Sequence, residues 1–438
     1  MLRPSRLGPS RLGPSRLGPS RLGPSRLGPP GLRVLAAAAA AVLLGVLPAL
    51  PARAAPADSV RDQQLWVLDM MRVPDAWQVT EGSGVIVAVI DSGVNSGVSD
   101  LAGSVINGPD YTRVGTSPNN PDWGLHGTWM ASMIVGHGND GGPGEIGPDG
   151  IVGVAPEAKV LSIRVIPDKE DPGYQAYNKE PEQQIQDELA EGIMKAVKDH
   201  ARVISMSIGY SAPSGAVRAA IDYAYQHGTV LVASSGNSGD NDTQHAAHST
   251  SMAPVSFPAE YPGVLGVGAV TESGQPANFS SGNLSVQIAA PGKGVPAQGR
   301  NGLYYTVDGT SPACALVAGV AALIESRYQG ISPALVTQAM TSTAVQNPPG
   351  GYDVLTGFGV VDASAALAKA GQLMKERHQG SQVPLAAHFG GGPAAEPAAP
   401  VTPRGDGLLV GFLVLALLSL AAAAAGIAGV VRARGQRP

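Results

Sequence analysis

The chain has 438 residues, 29 basic and 34 acidic, so only 14% are charged, against about 25% in an ordinary soluble domain; apolar segments must therefore lie outside an ordinary core. Eight arginines fall in residues 1–54 and three in 408–438, with no acid at either end, which leaves 18 basic against 34 acidic residues over 55–407. That acidic centre argues against nucleic acid as a partner, because phosphate binding needs a positive face, and the single cysteine, Cys314, rules out an intrachain disulfide framework and a cysteine-rich zinc site.

From the N-terminus, five tandem copies of Pro-Ser-Arg-Leu-Gly run from Pro4 to Gly28. They are rich in Pro and Gly and lack apolar periodicity, which predicts a segment without fixed structure. Val34–Leu50 is apolar, follows Arg33 and ends in Pro51-Ala52-Arg53-Ala54. Small residues at Ala52 and Ala54 suit cleavage before Ala55, so residues 1–54 read as an Arg-rich repeat and a secretory signal peptide, with an uncleaved anchor as the alternative. A short extension (55–65) leads into a central domain over 66–374. A linker over 375–406, rich in Pro, Gly and Ala from Gln379 onward, reads as a tether. Gly407–Val431 is an uncharged apolar run of 25 residues followed by Arg432, Arg434 and Arg437. A spanning helix needs about 20 such residues. The run predicts a transmembrane helix with the basic tail 432–438 in the cytoplasm and the central domain outside the cell membrane.

Within the central domain, short β-branched runs alternate with helical patterns. Val85–Ile90, Lys159–Ile166, Val203–Ile208, Thr229–Ser234 and Val264–Val270 predict strands; Gly127–Gly136, Glu182–Asp199 and Ala216–Gln226 predict helices. The alternation predicts an α/β fold, a mainly parallel sheet with helices on both faces. In such sheets the chemistry sits at the carboxyl ends of the strands. Asp91 follows the first strand and Asn237 the fourth, while His126 and Ser311 each open a helix. An acid, a histidine, an amide and a serine at element ends are the parts for acyl transfer: Ser needs a base, His supplies one, a carboxylate orients it, and an amide can donate to an oxyanion. Taken singly each has a duller reading, Asp91 and Asn237 as turn formers and Ser311-Pro312 as a helix cap with Pro in the first turn.

Three blocks now carry a resemblance: Val87-Ala-Val-Ile-Asp91-Ser-Gly-Val94, His126-Gly-Thr-Trp-Met-Ala-Ser132, and Gly309-Thr-Ser311-Pro-Ala-Cys-Ala-Leu-Val-Ala-Gly319. In this order, Asp…His…Asn…Ser, they resemble the subtilisin-like serine proteases, or subtilases, over about Trp66 to Leu367. The resemblance implies a subtilisin-like fold and a serine endopeptidase with Ser311 as nucleophile, His126 as general base, Asp91 as its orienter and Asn237 as oxyanion donor. It also implies that a substrate strand pairs near Ser207-Ile208-Gly209, and that this segment and Ser234-Ser235-Gly236 wall the first specificity pocket. All six are small or apolar, which favours a small or apolar side chain before the scissile bond. No cofactor and no metal are implied.

The departures are local. Pro312 follows the nucleophile, but the N–H the oxyanion needs belongs to Ser311, and a first-turn Pro removes nothing the helix uses. Trp129 replaces a second family histidine. Cys314 reads as a small apolar core residue. His245 and His248 lack the third ligand a catalytic zinc needs. The long acidic connection Pro167–Gln186 is either a lid or docking loop or a solvated insert. Only about a dozen residues separate Ala55 from the family-like Trp66, too few for an independent core, so no folded propeptide is expected. Signal peptide, tether and terminal helix together resemble the mycosins, membrane-anchored subtilases of actinobacterial type VII secretion, although mycosins usually carry disulfide cysteines. The partners implied are a protein or peptide substrate, the membrane, and secretion-complex components; the alternative function is a subtilase-shaped structural component of such a complex.

Overall fold

The computed structural model describes residues 59–118, 120, 123–239, 253–379, 414–420, 425, 426 and 428. The Pro-Ser-Arg-Leu-Gly repeat, the apolar run Val34–Leu50, the extension up to Asp58, His245 and His248, and the linker from 380 to 406 lie outside the described residues.

In chain order the strands are β1 (Ile86–Asp91), β2 (Val105–Asp110), β3 (His137–Asn139), β4 (Asp149–Val152), β5 (Lys159–Arg164), β6 (Val203–Met206), β7 (Val230–Ser234), β8 (Val264–Val270), β9 (Val286–Pro291), β10 (Val295–Gln298) and β11 (Tyr304–Val307). Seven form one sheet in the order β2-β5-β1-β6-β7-β8-β9, with every neighbouring pair parallel. The other four form two antiparallel hairpins, β3–β4 and β10–β11. Along β1, Val87 and Val89 enter one apolar layer and Ala88 and Ile90 the other, the alternation required of a strand covered on both faces.

The helices are α1 (Val60–Met70), α2 (Val73–Trp77), α3 (Leu125–Val135), α4 (Tyr174–Tyr177), α5 (Glu182–Lys198), α6 (Gly215–Gln226), α7 (Thr310–Arg327), α8 (Pro333–Ser342) and α9 (Ala363–Gln379). Leu189 and Ile193 of α5 and Val217 and Ile221 of α6 cover one face of the sheet. Met130 and Ile134 of α3, Leu316 and Leu323 of α7, Met340 of α8 and Leu367 of α9 cover the other. Every residue of α7 from Thr310 to Glu325 is buried; a helix apolar all round belongs in a core. All five predicted strands and all three predicted helices are present, with ends shifted by at most two residues. The sequence reading missed both edge strands of the sheet, β2, whose Asn107-Gly108-Pro109 looks like a turn, and β9, together with the four short hairpin strands β3, β4, β10 and β11.

The N-terminal helix is stapled to the domain. Ser59 and Asp62 form a reciprocal capping box, and α1 then runs across the boundary drawn at 65/66. Gln64 is 1% exposed; its Nε2 donates to Val152 O at 2.7 Å and its Oε1 accepts from Val152 N at 3.0 Å. The Arg61 guanidinium donates to the carbonyls of Gly150, at 3.0 Å, and Asp149, at 3.2 Å.

Packing divides the chain into two units, Met1–His378 and Gln379–Pro438. In the second, residues 414–420 are helical with Leu415, Leu417, Leu418 and Leu420 exposed. Among the described residues no helix is long and apolar enough to cross a membrane; much of the apolar run Gly407–Val431 lies outside them.

Gln64→Leu leaves both polar backbone groups of Val152 buried without partners. Denaturant unfolding should read a loss of about 1–3 kcal/mol for each group so stranded, and Asp69→Asn, at an exposed position of the same helix, offers a control with little effect.

Candidate active site

Parallel strands place their carboxyl ends on one edge of the sheet, and helices returning to that edge present their N-termini there. β1 ends on Asp91, which is 1% exposed. His126 is the second residue of α3. The two meet, with His126 Nδ1 2.7 Å from Asp91 Oδ1. Asp91 Oδ1 also accepts from Ser92 N at 2.7 Å. Among the described residues Asp91 Oδ2 is buried without a partner. A carboxylate can only accept, so Nδ1 carries the ring proton toward it and the Nε2 lone pair is left for another group.

Small residues make this meeting feasible. Ser92 Oγ accepts from Gly127 N at 3.0 Å, and a Cβ at Gly127 would collide with the carbonyl of Gly93. The Gly in His126-Gly127 is therefore a condition of the close approach. Burial opposes a charged His126 ring, but the charge and hydrogen bond of Asp91 and the charge of Asp168 favour it, and the balance holds the imidazole above its ordinary value.

Ser311 lies in the first turn of α7 and is 8% exposed. Its N–H is one of the first four of the helix, which have no intrahelical acceptor and sit at the positive end of the helix dipole. The cap is Gly309 at φ 155°, without a side-chain hydrogen bond, so no side chain obstructs that end. Pro312 fits the first turn without loss of a helical bond, as the sequence reading expected.

Asn237, beyond β7, is oriented by the residue before the serine. Its Oδ1 accepts from Thr310 N and from Thr310 Oγ1, both at 2.9 Å, and Thr310 Oγ1 accepts from Gly236 N at 3.3 Å. With Oδ1 so engaged, the amide nitrogen faces Gly309: a Cβ built there would stand 3.4 Å from Nδ2. A donor aimed at the start of the serine helix is thereby fixed from the sheet side.

Of the six residues expected to meet substrate, Ser207 and Gly236 are half-buried, Gly209 is exposed, and Ile208, Ser234 and Ser235 are buried. Ser207 Oγ donates to Ser311 O at 3.2 Å, joining the segment after β6 to the serine helix. Ser235 Oγ donates to Ser281 O at 3.3 Å.

Trp129 stands edge-on to the His126 ring, centroids 6.1 Å apart, and against Tyr305 at 5.2 Å. Cys314 is fully buried, its Sγ 3.8 Å from Met206 O, and burial pushes its thiol up to about 11. No group of three or more His, Cys, Asp or Glu side chains suited to a metal occurs among the described residues. A cleft of about 340 Å³ lies at the opposite end of the sheet, between Val85 and Arg202, which precede β1 and β6; it is remote from these groups.

The acidic connection after β5 is neither a free lid nor simply solvated. Arg164, 0% exposed, donates to Asp171 at 2.5 Å and Asp110 at 3.0 Å and lies over the Trp123 ring at 4.3 Å. Tyr177 OH donates to Val165 O at 2.5 Å. This anchored connection supplies a residue the sequence reading missed. Asp168 Oδ2 accepts from Leu125 N at 2.6 Å and Oδ1 from His126 N at 3.1 Å. An acid after Pro167 carries no local signal of a partner 42 positions earlier.

Comparison with known proteins matches this architecture. A profile of the subtilase family, peptidase S8, matches residues 82–361. Mycosin-1 of Mycobacterium tuberculosis is 34% identical over 336 residues, covering 69% of this chain and 72% of mycosin-1. Thermitase of Thermoactinomyces vulgaris is 32% identical over 274 residues, covering 63% of this chain and 86% of thermitase. Among solved structures, the serine protease MycP1, described as an essential component of the type VII (ESX-1) secretion system, superposes with a TM-score of 0.57 at 32% identity, covering 69% of this chain and 88% of MycP1. The chain belongs to the subtilase family. It is a subtilisin-like serine endopeptidase, similar to the mycosins of secretion systems.

The buried, protonated Cys314 should resist alkylation in the native protein at pH 8 and react with one equivalent of iodoacetamide on unfolding. Cys314→Ala should leave Ser311 reactivity within about 2-fold of the parent, since a neutral buried thiol is a poor nucleophile.

Proposed function

We propose that this chain is a membrane-anchored endopeptidase acting outside the cytoplasm, with Ser311 as nucleophile, His126 as general base, Asp91 as orienter and Asn237 as oxyanion donor. The observation that carries the reading is the 2.7 Å pair of His126 Nδ1 with buried Asp91, formed at the sheet edge where the serine helix also begins. Ser311 Oγ attacks the scissile carbonyl carbon while His126 Nε2 takes its proton. Negative charge moves onto the carbonyl oxygen, where the Ser311 N–H and Asn237 Nδ2 receive it. His126 then passes the proton to the departing amine nitrogen, leaving an acyl-serine. Water, deprotonated by the same imidazole, attacks the acyl carbon, and the proton returns to Ser311 Oγ.

An extended substrate adds alongside Ser207-Ile208-Gly209. The first pocket is walled by that segment and Ser234-Ser235-Gly236, which suits a small or apolar side chain. The domain boundaries read from the sequence, signal peptide 1–54, extension 55–65, catalytic domain 66–374, linker 375–406 and spanning helix 407–431, support a single-pass anchor with the tail 432–438 in the cytoplasm. Similarity to MycP1 supports service in a type VII-like secretion system, whose other components would be its partners. The same similarity to a protein described as an essential component favours a second reading, in which the domain also acts as a structural part.

A fluorophosphonate should label wild type on Ser311 and fail on Ser311→Ala and His126→Ala. Asn237→Ala should slow labelling by about 10²–10³. The base must be neutral to act, and its partners hold it above the ordinary 6.5; labelling should therefore rise with pH through a midpoint above 6.5. A folded wild type that stays unlabelled at pH 8 would reject the catalytic reading. Secretion preserved in a Ser311→Ala strain and lost on deletion would favour the structural one.

A further inference from the structure

A general base at the start of a helix has an electrostatic problem. The helix N-terminus carries about half a positive charge, and an imidazolium formed there during acyl transfer meets like charge. His126 is the second residue of α3, so it sits in this unfavourable place. The local sequence offers no remedy: the cap is Gly124, at φ 67°, with no side-chain hydrogen bond, and the first turn contains no acid.

The remedy comes from a different strand. β5 lies beside β1 in the sheet, with Arg164 in register with Asp91. The chain leaving β5 turns at Pro167 and brings Asp168, only 8% exposed, under the first turn of α3. Each of its carboxylate oxygens accepts one backbone N–H, from Leu125 at 2.6 Å and from His126 at 3.1 Å. Two neighbouring parallel strands thus deliver two carboxylates to one histidine, Asp91 to its ring and Asp168 to its backbone.

Resting on the catalytic reading above, we propose that Asp168 is a positioning residue for the general base. It holds the first turn of α3 by two N–H groups and supplies the negative charge that offsets the helix terminus when His126 becomes an imidazolium. The anchored connection after β5 serves this end: Arg164 fixes Asp171, three residues beyond Asp168, and Tyr177 ties the same segment back to Val165.

The groups acting on His126 are Asp91 from β1 and Asp168 from the connection after β5. Charged groups on the other elements packed against α3 are engaged elsewhere: Asp149 with Arg61, Arg164 with Asp110 and Asp171, and Asp100 with Ile151 N and Tyr304 OH. From α7 the nearby titratable side chain is Cys314, whose thiol is neutral. Burial opposes the charge of Asp168 most strongly, the two N–H bonds and His126 favour it, and its carboxyl ends above the ordinary range.

The test uses the full chain as wild type, Asp168→Asn and Asp168→Ser. Both variants keep an acceptor for the helix start and remove the charge, so one serves if the other fails to fold. Deuterium exchange at the His126 ring C2, read by peptide mass spectrometry, gives the imidazole midpoint without relying on catalysis. Fluorophosphonate labelling across pH gives the rate. The midpoint should fall by about 0.2–1.5 pH units, and the labelling plateau at alkaline pH by about 2- to 30-fold. A midpoint unchanged in the folded variants overturns the proposal, and a pH-independent loss of rate that tracks only lowered thermal stability would make Asp168 a helix cap and nothing more. If wild type does not label while the midpoint still falls on substitution, the catalytic reading fails and the electrostatic role of Asp168 stands.

Discussion

The 2.7 Å bond between Asp91 and His126 can form only where the end of a strand is pressed against the start of a helix. A parallel sheet creates that situation repeatedly along one edge, because each strand ends there and each returning helix begins there. Closing the distance at this place needs residues without bulk. Gly127 lies against the Gly93 carbonyl, and Ser92 turns its hydroxyl onto the Gly127 N–H at 3.0 Å. The pairing of Asp91 with His126 and its spacing follow from this one contact between β1 and α3.

Two helices bring their positive ends to the same edge, and the structure treats them in opposite ways. On the proposed catalytic roles, positive potential at α7 is useful, because the charge developing near Ser311 would be an oxyanion. That end has a glycine cap, no capping side chain and an amide held beside it by Thr310. On the same proposal, positive potential at α3 is harmful, because the charge developing on His126 would be positive. That end is covered by the carboxylate of Asp168. One helix end is left without a capping side chain and the other is bound by a carboxylate, as the sign of the transient charge at each would require under that proposal.

Away from the edge, buried charges secure the segments that carry these residues. Arg164 couples β5 to Asp110, Asp171 and the Trp123 ring, and Trp123 lies three residues before His126. Arg202, just before β6, holds Glu325 of α7 at 2.9 Å, with burial pushing that carboxyl up to about 7. Such pairs add little net stability, but each is costly to break once its partner is buried.

What was legible in the sequence was what depends on neighbours along the chain. Short continuous apolar, β-branched runs marked β1, β5, β6, β7 and β8, and the helical patterns marked α3, α5 and α6, to within two residues. The polar edge strand β2 was not marked, because its pairing with β5 compensates for a turn-like composition that local reading takes at face value. The four candidate residues were legible because each stands at the end of its own element, where sequence patterns change. Asp168 was not, since nothing around Pro167 refers to a helix that begins at Leu125. Gln64 was hidden for the same reason, its partner Val152 being 88 positions away. The sequence by itself determined the five central strands, three of the helices and the chemical groups at the ends of elements, through local composition, helical periodicity and covalent connection. The tertiary structure alone decided which buried polar group meets which, because that depends on strand order and on how closely the layers approach.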